Sequence, residues 1–265
     1  MIDYHVHTPL CNHATGTIHQ YIGRAIKAGL CEICFLEHLT LNKNGRALSM
    51  SPAQLPLYYH AVQRLSLQYR DRIRVRAGLE VDFSPGYSEQ VAAIIEPFAF
   101  DLIAGSVHFI ENTNIVSSRA IKNNNMNIDR ICDQYLSLLE KLVKSRIFDV
   151  ICHIDVPKKF GAALPERFYE NIDALMERIG YNEMAVEVNT SGFDHPASEQ
   201  YPAKLLLDAC RRYKIPVTLG SDAHAPEEVG RHFDRAIALL ESSGIHSVSG
   251  FRRRVRHDIK LEHQY

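Results

Sequence analysis

The chain has 265 residues, 46% of them apolar, which is enough for one large core and suits two small domains less well, so one domain over residues 1–265 is expected. Lys and Arg number 30 against 31 Asp and Glu, a net charge of −1 that excludes a global field calling for nucleic acid or an anionic membrane surface; small solutes are the expected partners. No apolar run reaches the ~18 residues of a membrane span, and six scattered cysteines do not resemble a disulfide framework, which points to reducing cytoplasm.

The chain opens on Met1-Ile2-Asp3-Tyr4-His5-Val6-His7, which reads as a strand over 2–7 and not as a charged leader with an apolar segment behind it. A helix near 17–29 ends at Gly29, and strands follow at 32–37, 73–82 and 101–107, with β-branched residues such as Val75, Val81 and Ile103. The clearest helix is 129–145: Ile131, Tyr135, Leu138, Leu139 and Leu142 fall at helical spacing and Asp129 stands where a cap would help. Strands at 149–154, 184–189 and 216–221 alternate with helices near 166–179, 202–213 and 233–243, and Gly161, Gly180 and Gly244 punctuate them. Repeated β-then-α units with nearly all-apolar strands predict a parallel α/β barrel. No internal repeat or linker interrupts it.

His5 and His7 are one residue apart on a strand, so both face one side and can share a metal ion; Asp3 has the same parity. The C-terminal ends of the strands carry, in turn, His7, Glu37 with His38, Glu80, His108, His153 with Asp155, Asn189, and Asp222 with His224. In a parallel barrel these ends converge on one mouth. His5, His7, His13, His38, His108, His153 and His224 with Glu80 and Asp222 make nine candidate ligands, more than one ion takes, so two or three divalent ions are implied, with zinc, manganese or iron all suited to imidazole and carboxylate. Unpaired carboxylates at apolar strand ends would cost on the order of several kcal/mol. Closely spaced ions activate water and clamp phosphoryl oxygens, so the expected chemistry is hydrolysis of a small phosphate ester without a covalent intermediate.

The blocks DYHVH, LEH, GLEVDFSPG, GSVHF, CHID and GSDAH, spread over residues 3 to 224, together resemble the polymerase and histidinol phosphatase (PHP) family, and EVNTSG and YPAKLLLDAC resemble its histidinol-phosphate phosphatase branch. The resemblance implies a distorted seven-stranded, TIM-like (β/α) barrel with a trinuclear site. It implies that His5, His7, Glu80 and Asp222 hold one ion, that Glu80 bridges to a second held by His108 and His153, and that His13, His38 and His224 hold a third. A hydroxide bridging the first two ions would attack phosphorus and histidinol would leave. One departure bears on the substrate: after GSVHF the branch usually has an aromatic and acidic segment, where this chain reads IENTNIVSSRAI.

Phosphate needs a further cationic partner, expected from Arg119, Lys158, Lys159 or Arg231, with Lys159 best placed and His195 able to touch substrate from its loop. Asp155 either orients His153 or faces elsewhere, and Glu37 is similarly open. Cys31 and Cys34 read as buried strand thiols, His19, His60, His232, His246, His257 and His263 as surface or hydrogen-bonding groups, and Phe251–His257, with its four arginines, as a solvated helix face. The rival activities are a PHP phosphodiesterase or exonuclease on nucleotides, which should show a basic groove, and an amidohydrolase, which commonly places a modified lysine where Glu80 stands.

Overall fold

A computed structural model describes residues 1–123 and 127–261; His263 lies outside them. In chain order the elements are β1 (Ile2–Val6), α1 (Ile18–Lys27), β2 (Glu32–Leu39), α2 (Leu55–Tyr69), β3 (Arg74–Asp82), α3 (Ser88–Ile95), β4 (Leu102–Ser106), β5 (Phe109–Ile110), β6 (Thr113–Asn114), α4 (Ser118–Asn123), α5 (Ile128–Ser145), β7 (Val150–Ile151), α6 (Glu166–Tyr181), β8 (Ala185–Asn189), α7 (Lys204–Arg212), β9 (Val217–Gly220), α8 (Phe233–Ser242), β10 (Ser247–Arg252) and β11 (Val255–Lys260).

Seven parallel strands run in the order β1-β2-β3-β4-β7-β8-β9. Beyond the end of β9, Val6 and Ala223 form one parallel bridge, with Ala223 O accepting from His7 N at 2.9 Å, so the sheet is a barrel nearly closed at a single seam. All seven strands lie where the apolar runs predict them. The helices pack outside: Tyr21 of α1 meets Phe35 of β2 edge-on, and Leu139, Leu142, Phe168 and Ile172 from α5 and α6 are fully buried. Local chemistry sets the helix ends, as in the box in which Thr17 accepts from Gln20 N while Gln20 accepts from Thr17 N. Asn127, not Asp129, caps α5; Asp129 sits in its first turn. Gly29, Gly161 and Gly244 take left-handed conformations as stop signals, whereas Gly180 is inside α6.

One irregularity in β1 decides where its side chains point. Ile2 pairs with Glu32 and Asp3 with Ile33, but Val6 pairs with Phe35, so β1 spends three residues where β2 spends two. This bulge resets the alternation. Tyr4 and His5 both turn to the interior, and Asp3 faces away from it. Its carboxylate accepts from Ser221 N and Gly230 N instead, fastening β1 to the chain after β9. The shared parity of Asp3 with His5 and His7 therefore does not hold.

The basic stretch 251–257 is a strand hairpin and not a helix face: β10 and β11 pair antiparallel, covering the end of the barrel where the strands begin. The Tyr4 hydroxyl donates to Glu32 at 2.6 Å and accepts from Phe251 N at 2.9 Å, and His257 lies 3.1 Å from Glu32. Cys34 is a buried strand thiol; Cys31 is half-buried and precedes β2. Removing the Tyr4 hydroxyl leaves a buried N–H and a carboxylate short of a partner, a cost of about 1–3 kcal/mol. Tyr4→Phe is expected to lower the urea midpoint accordingly while metal content stays that of the wild type; an unchanged midpoint would remove this account of how the hairpin is held.

Candidate metal centre at the barrel mouth

Glu80, near the end of β3 and 1% exposed, is the hub of the mouth. Its Oε2 lies 2.7 Å from His38 Nδ1, 3.4 Å from His5 Nε2 and 3.8 Å from His7 Nε2; its Oε1 lies 3.0 Å from His153 Nε2 and 3.4 Å from His108 Nε2. Asp222 Oδ1 is 3.2 Å from His7 and 3.7 Å from His5. On the outer side the rings of His7 and His38 and of His7 and His224 stack with centroids 4.0 and 4.2 Å apart, and His13 lies tilted against His224 at 4.5 Å. All nine residues thus meet in one place. Ligating atoms within 4.8 Å of one another include the sets His5–His7–Asp222, His38–Glu80–His108 and His7–His38–His224. Cys11 also approaches His13 and His224, but burial pushes its thiol up to about 12.

The folding of the strands makes this density possible. A Cβ on Gly220 would stand 2.5 Å from both His5 Cβ and Glu187 Oε1, so only glycine lets β9 pass this close to β1. His153 and Asp222 leave their strands with φ of +28° and +54°, conformations unusual for side-chain-bearing residues, and each is held by its surroundings. His153 N donates to Glu187, and the Asp222 carbonyl accepts from His224 Nδ1 and Arg231 Nη2, both at 3.0 Å.

A second layer fixes which imidazole nitrogen faces inward. His5 Nδ1 makes a short contact with Glu187, leaving Nε2 toward Glu80 and Asp222. Glu37 accepts from Thr8 N and His38 N and lies 3.7 Å from His7 Nδ1, which settles its role as a support. His13 Nδ1 donates to the Cys11 carbonyl, and Asp82 accepts from His108 N. This is the outer arrangement that orients ligating imidazoles. Asp155 faces elsewhere: it binds Lys158 and Ala203 N, both at 2.8 Å. Glu187 was not among the sequence candidates. Its signal was an acidic residue inside the apolar run 185–188, where a buried carboxylate needs a partner.

The electrostatics are those of a site short of positive charge. Burial opposes ionisation of Glu80, yet His38, His108 and His5 hold it well below the usual carboxylate range; Asp222 is held down likewise by His5 and His7 against its burial. Burial also opposes charging His5, but Glu187, Asp222 and Glu80 outweigh it and raise its pKa well above the ordinary value. Burial, with the neighbouring imidazoles, lowers His7 to about 3 and His224 to about 2. Among the described residues His5 Nε2, Glu80 Oε2 and His224 Nε2 are buried without a hydrogen-bond partner. Converging donors that the protein leaves unsatisfied fit divalent ions, for which mixed imidazole and carboxylate ligation is suited.

The expected cationic residues separate. Lys159 and His195 are half-buried near Asp222, whose charge acts on both. Arg231 is committed: Nε donates to Ser221 O, and Nη1 pairs with Asp194 and Glu228, both at 3.3 Å. Lys158 is consumed by Asp155, Glu199 and Gln200 O, and Arg119 lies exposed on α4. The departing segment IENTNIVSSRAI runs from the end of β5 through β6 into α4. Its Asn114 and Val116 line a cavity beside His38 and His108 together with Thr40, Ser49 and Asp82.

The family model for the PHP domain matches residues 3–191. The chain belongs to the PHP family. A further model, for a PHP-associated region, matches residues 205–239 of this PHP protein. It is 36% identical over 260 residues to a probable histidinol-phosphatase of Deinococcus radiodurans, covering 96% of this chain and 97% of that one. With the histidinol-phosphatase of Bacillus subtilis it shares 27% identity, covering 90% and 98%. The crystal structure of histidinol phosphate phosphatase from Lactococcus lactis, a complex with zinc, L-histidinol and phosphate, superposes with a TM-score of 0.84 at 23% identity, covering 97% and 98% of the two chains. That likeness establishes the fold as the distorted TIM-like barrel.

Two outcomes test the centre. Glu187→Gln keeps the size of the side chain but loses the charge that orients His5; metal affinity should fall by about 10- to 100-fold, read by competition with a chromogenic chelator, and unchanged affinity would leave Glu187 without this role. Glu187, Asp222 and Glu80 raise the pKa of His5 against its burial, so an entering ion competes with protons for that imidazole. Metal affinity should therefore rise with pH and be lost on acidification below about pH 6. Calorimetry in two buffers of different ionisation enthalpy reads the proton, and buffer-independent heat or full metal retention at pH 4 would contradict the assignment.

Proposed function

We propose that this PHP protein is a metal-dependent phosphomonoesterase that hydrolyses L-histidinol phosphate to L-histidinol and phosphate, a histidinol-phosphatase step of histidine biosynthesis. The observation that carries metal-dependent hydrolysis is the set of buried, unpartnered imidazole and carboxylate atoms around Glu80 at the barrel mouth. The choice of ester rests on the full-length likeness to a probable histidinol-phosphatase. One domain over 1–265 and a cytoplasmic location belong to the same reading. Six free cysteines, five of them buried, are compatible with a reducing compartment, and no described helix is long and apolar enough to cross a membrane.

In this reading His5, His7, Glu80 and Asp222 hold one ion, Glu80, His108 and His153 a second, and His13, His38 and His224 a third; zinc, manganese and iron all suit the donors. Bound there, the ions supply an activated water and neutralise the phosphoryl oxygens. The chain's own contribution is to keep the ligands unprotonated where needed and fixed in direction: burial holds His7 and His224 neutral, while Glu187 and Glu37 aim His5 and His7. Lys159 places a cation beside Asp222 for the substrate phosphate, with His195 next to it. Arg231 acts by holding the Asp222 turn, not by meeting phosphate directly. The cavity lined by Asp82, Ser49 and Asn114 is the space for the alcohol portion.

Glu80→Ala and His224→Ala should each leave a folded protein with most hydrolysis lost; turnover undiminished in a metal-verified variant would overturn the ligand assignment. The deciding measurement is phosphate release by manganese-loaded protein from L-histidinol phosphate, other phosphomonoesters and a dinucleotide. Strong preference for histidinol phosphate, abolished by chelator, is expected. Preference for another monoester would keep the chemistry and reject the ester, and cleavage of the dinucleotide alone would move the protein to the phosphodiesterases.

A further inference from the structure

The barrel end away from the histidines, where β2 and β3 begin, is strongly basic. Between these strand starts and the β10–β11 hairpin runs an open groove of about 670 Å³ lined by Arg74, Arg76, Arg252, Arg253, Arg256 and His257. An adjoining groove of about 340 Å³ shares four of those arginines and adds Arg70. Six arginines line the two grooves with two carboxylates, Glu32 and Asp101, and Asp258 and Asp71 stand at the edge, which leaves an excess of positive charge here on a chain whose net charge is −1.

Part of that charge has a structural use. Arg76 Nε lies 3.0 Å from Glu32, Arg256 pairs with Asp258, and Arg70 approaches Asp71 at 3.8 Å. Among the described residues the guanidinium groups of Arg74, Arg252 and Arg253 make no ion pair or hydrogen bond. The carboxylates cannot absorb them: Glu32 is taken by Tyr4 and Arg76, and Asp101 accepts from the backbone of Ala77 and Arg253.

The hairpin turn supplies an independent observation. Its two central residues, Arg253 and Arg254, have φ of +49° and +65°, where asparagine and glycine are the usual occupants. Arg254 recovers something locally, through Asp149 at 3.0 Å and the Ile147 carbonyl at 2.6 Å. Arg253 makes no such contact through its side chain, so its exposed guanidinium stays available to an anion in the groove.

We propose that this groove is a binding site for a small polyphosphate anion, separate from the metal centre. Guanidinium forks match phosphate oxygens two at a time, and several in one groove suit several linked phosphates better than one carboxylate. The larger groove, about 670 Å³, is of small-molecule size. A single strand of nucleic acid would call for stacking surfaces, and Tyr59 is the one Phe, Tyr or Trp ring in the two linings.

The probe is inorganic tripolyphosphate, titrated calorimetrically into the metal-loaded protein. Binding at the metal centre is recognised by competitive inhibition of phosphomonoester hydrolysis; the groove adds a second equivalent that does not compete. In Arg74→Ala/Arg252→Ala/Arg253→Ala that equivalent should weaken at least tenfold while turnover and thermal midpoint stay at wild-type values, and the corresponding triple Lys variant should bind with intermediate affinity. One equivalent only, competitive in the wild type, would overturn the proposal, as would equal binding by wild type and triple Ala variant. Arginine-dependent binding of a 12-nucleotide single strand without binding of tripolyphosphate would also overturn it, in favour of nucleic acid.

Discussion

A carboxylate that is 1% exposed and has five imidazoles within 3.8 Å cannot be treated as one ligand among many; the fold around Glu80 is arranged so that its charge can exist there at all. Isolated burial of that charge would cost several kcal/mol or drive protonation. Each neighbouring strand therefore brings a nitrogen to it, and Asp222 brings a second charge with its own imidazole partners. Glu187, Asp222 and Glu80 raise His5, and Glu80 with Glu37 raises His38, whereas burial and crowding lower His7 and His224. The result is a pocket in which buried carboxylates and imidazoles exchange charge at close range while His7 and His224 stay neutral.

Support for this cluster comes from ordinary elements of the sheet. Glu187 joins two neighbours of the hub, taking His5 Nδ1 and His153 N on one carboxylate. Asp3 does comparable work on the opposite face of β1, and its burial lifts its pKa to about 6 despite three backbone N–H contacts and the Ser221 hydroxyl. Arg231 holds both Ser221 O and Asp222 O, fixing the turn that carries Asp222 and His224. These groups bind other protein groups. They determine whether the residues of the centre are in place.

The barrel and the convergence of nine polar side chains at its mouth were legible in the sequence because buried parallel strands are short apolar runs, and a polar residue at the end of such a run stands out. Other parts lacked that contrast. α2 carries Leu57 and Leu67 on its exposed side, which blurs its apolar stripe, and α3 is only eight residues long. β11 is exposed or half-exposed along its length and the turn before it carries Arg253 and Arg254, so the stretch 251–257 read as a solvated helix. The face of Asp3 was misread because a bulge is a property of two strands in register and leaves no mark on one of them. Arg231 and Lys158 stand close to the mouth, as expected, but what they bind depends on Asp194, Glu228 and Glu199, whose approach is a tertiary event.

The seam of the barrel carries one more implication. Between β1 and β9 the sheet has one bridge in place of a ladder, yet His7 and Asp222, 215 residues apart in sequence, face each other across it. An ion held by both would do what missing backbone hydrogen bonds do elsewhere, joining first and last strands by closing a loop that spans nearly the whole chain. The entropy of that closure grows only slowly with loop length, so one well-ligated ion is enough to secure it. Metal supply would then set the integrity of the outermost strands as well as the rate of the reaction, and a starved population would be vulnerable first at its two ends.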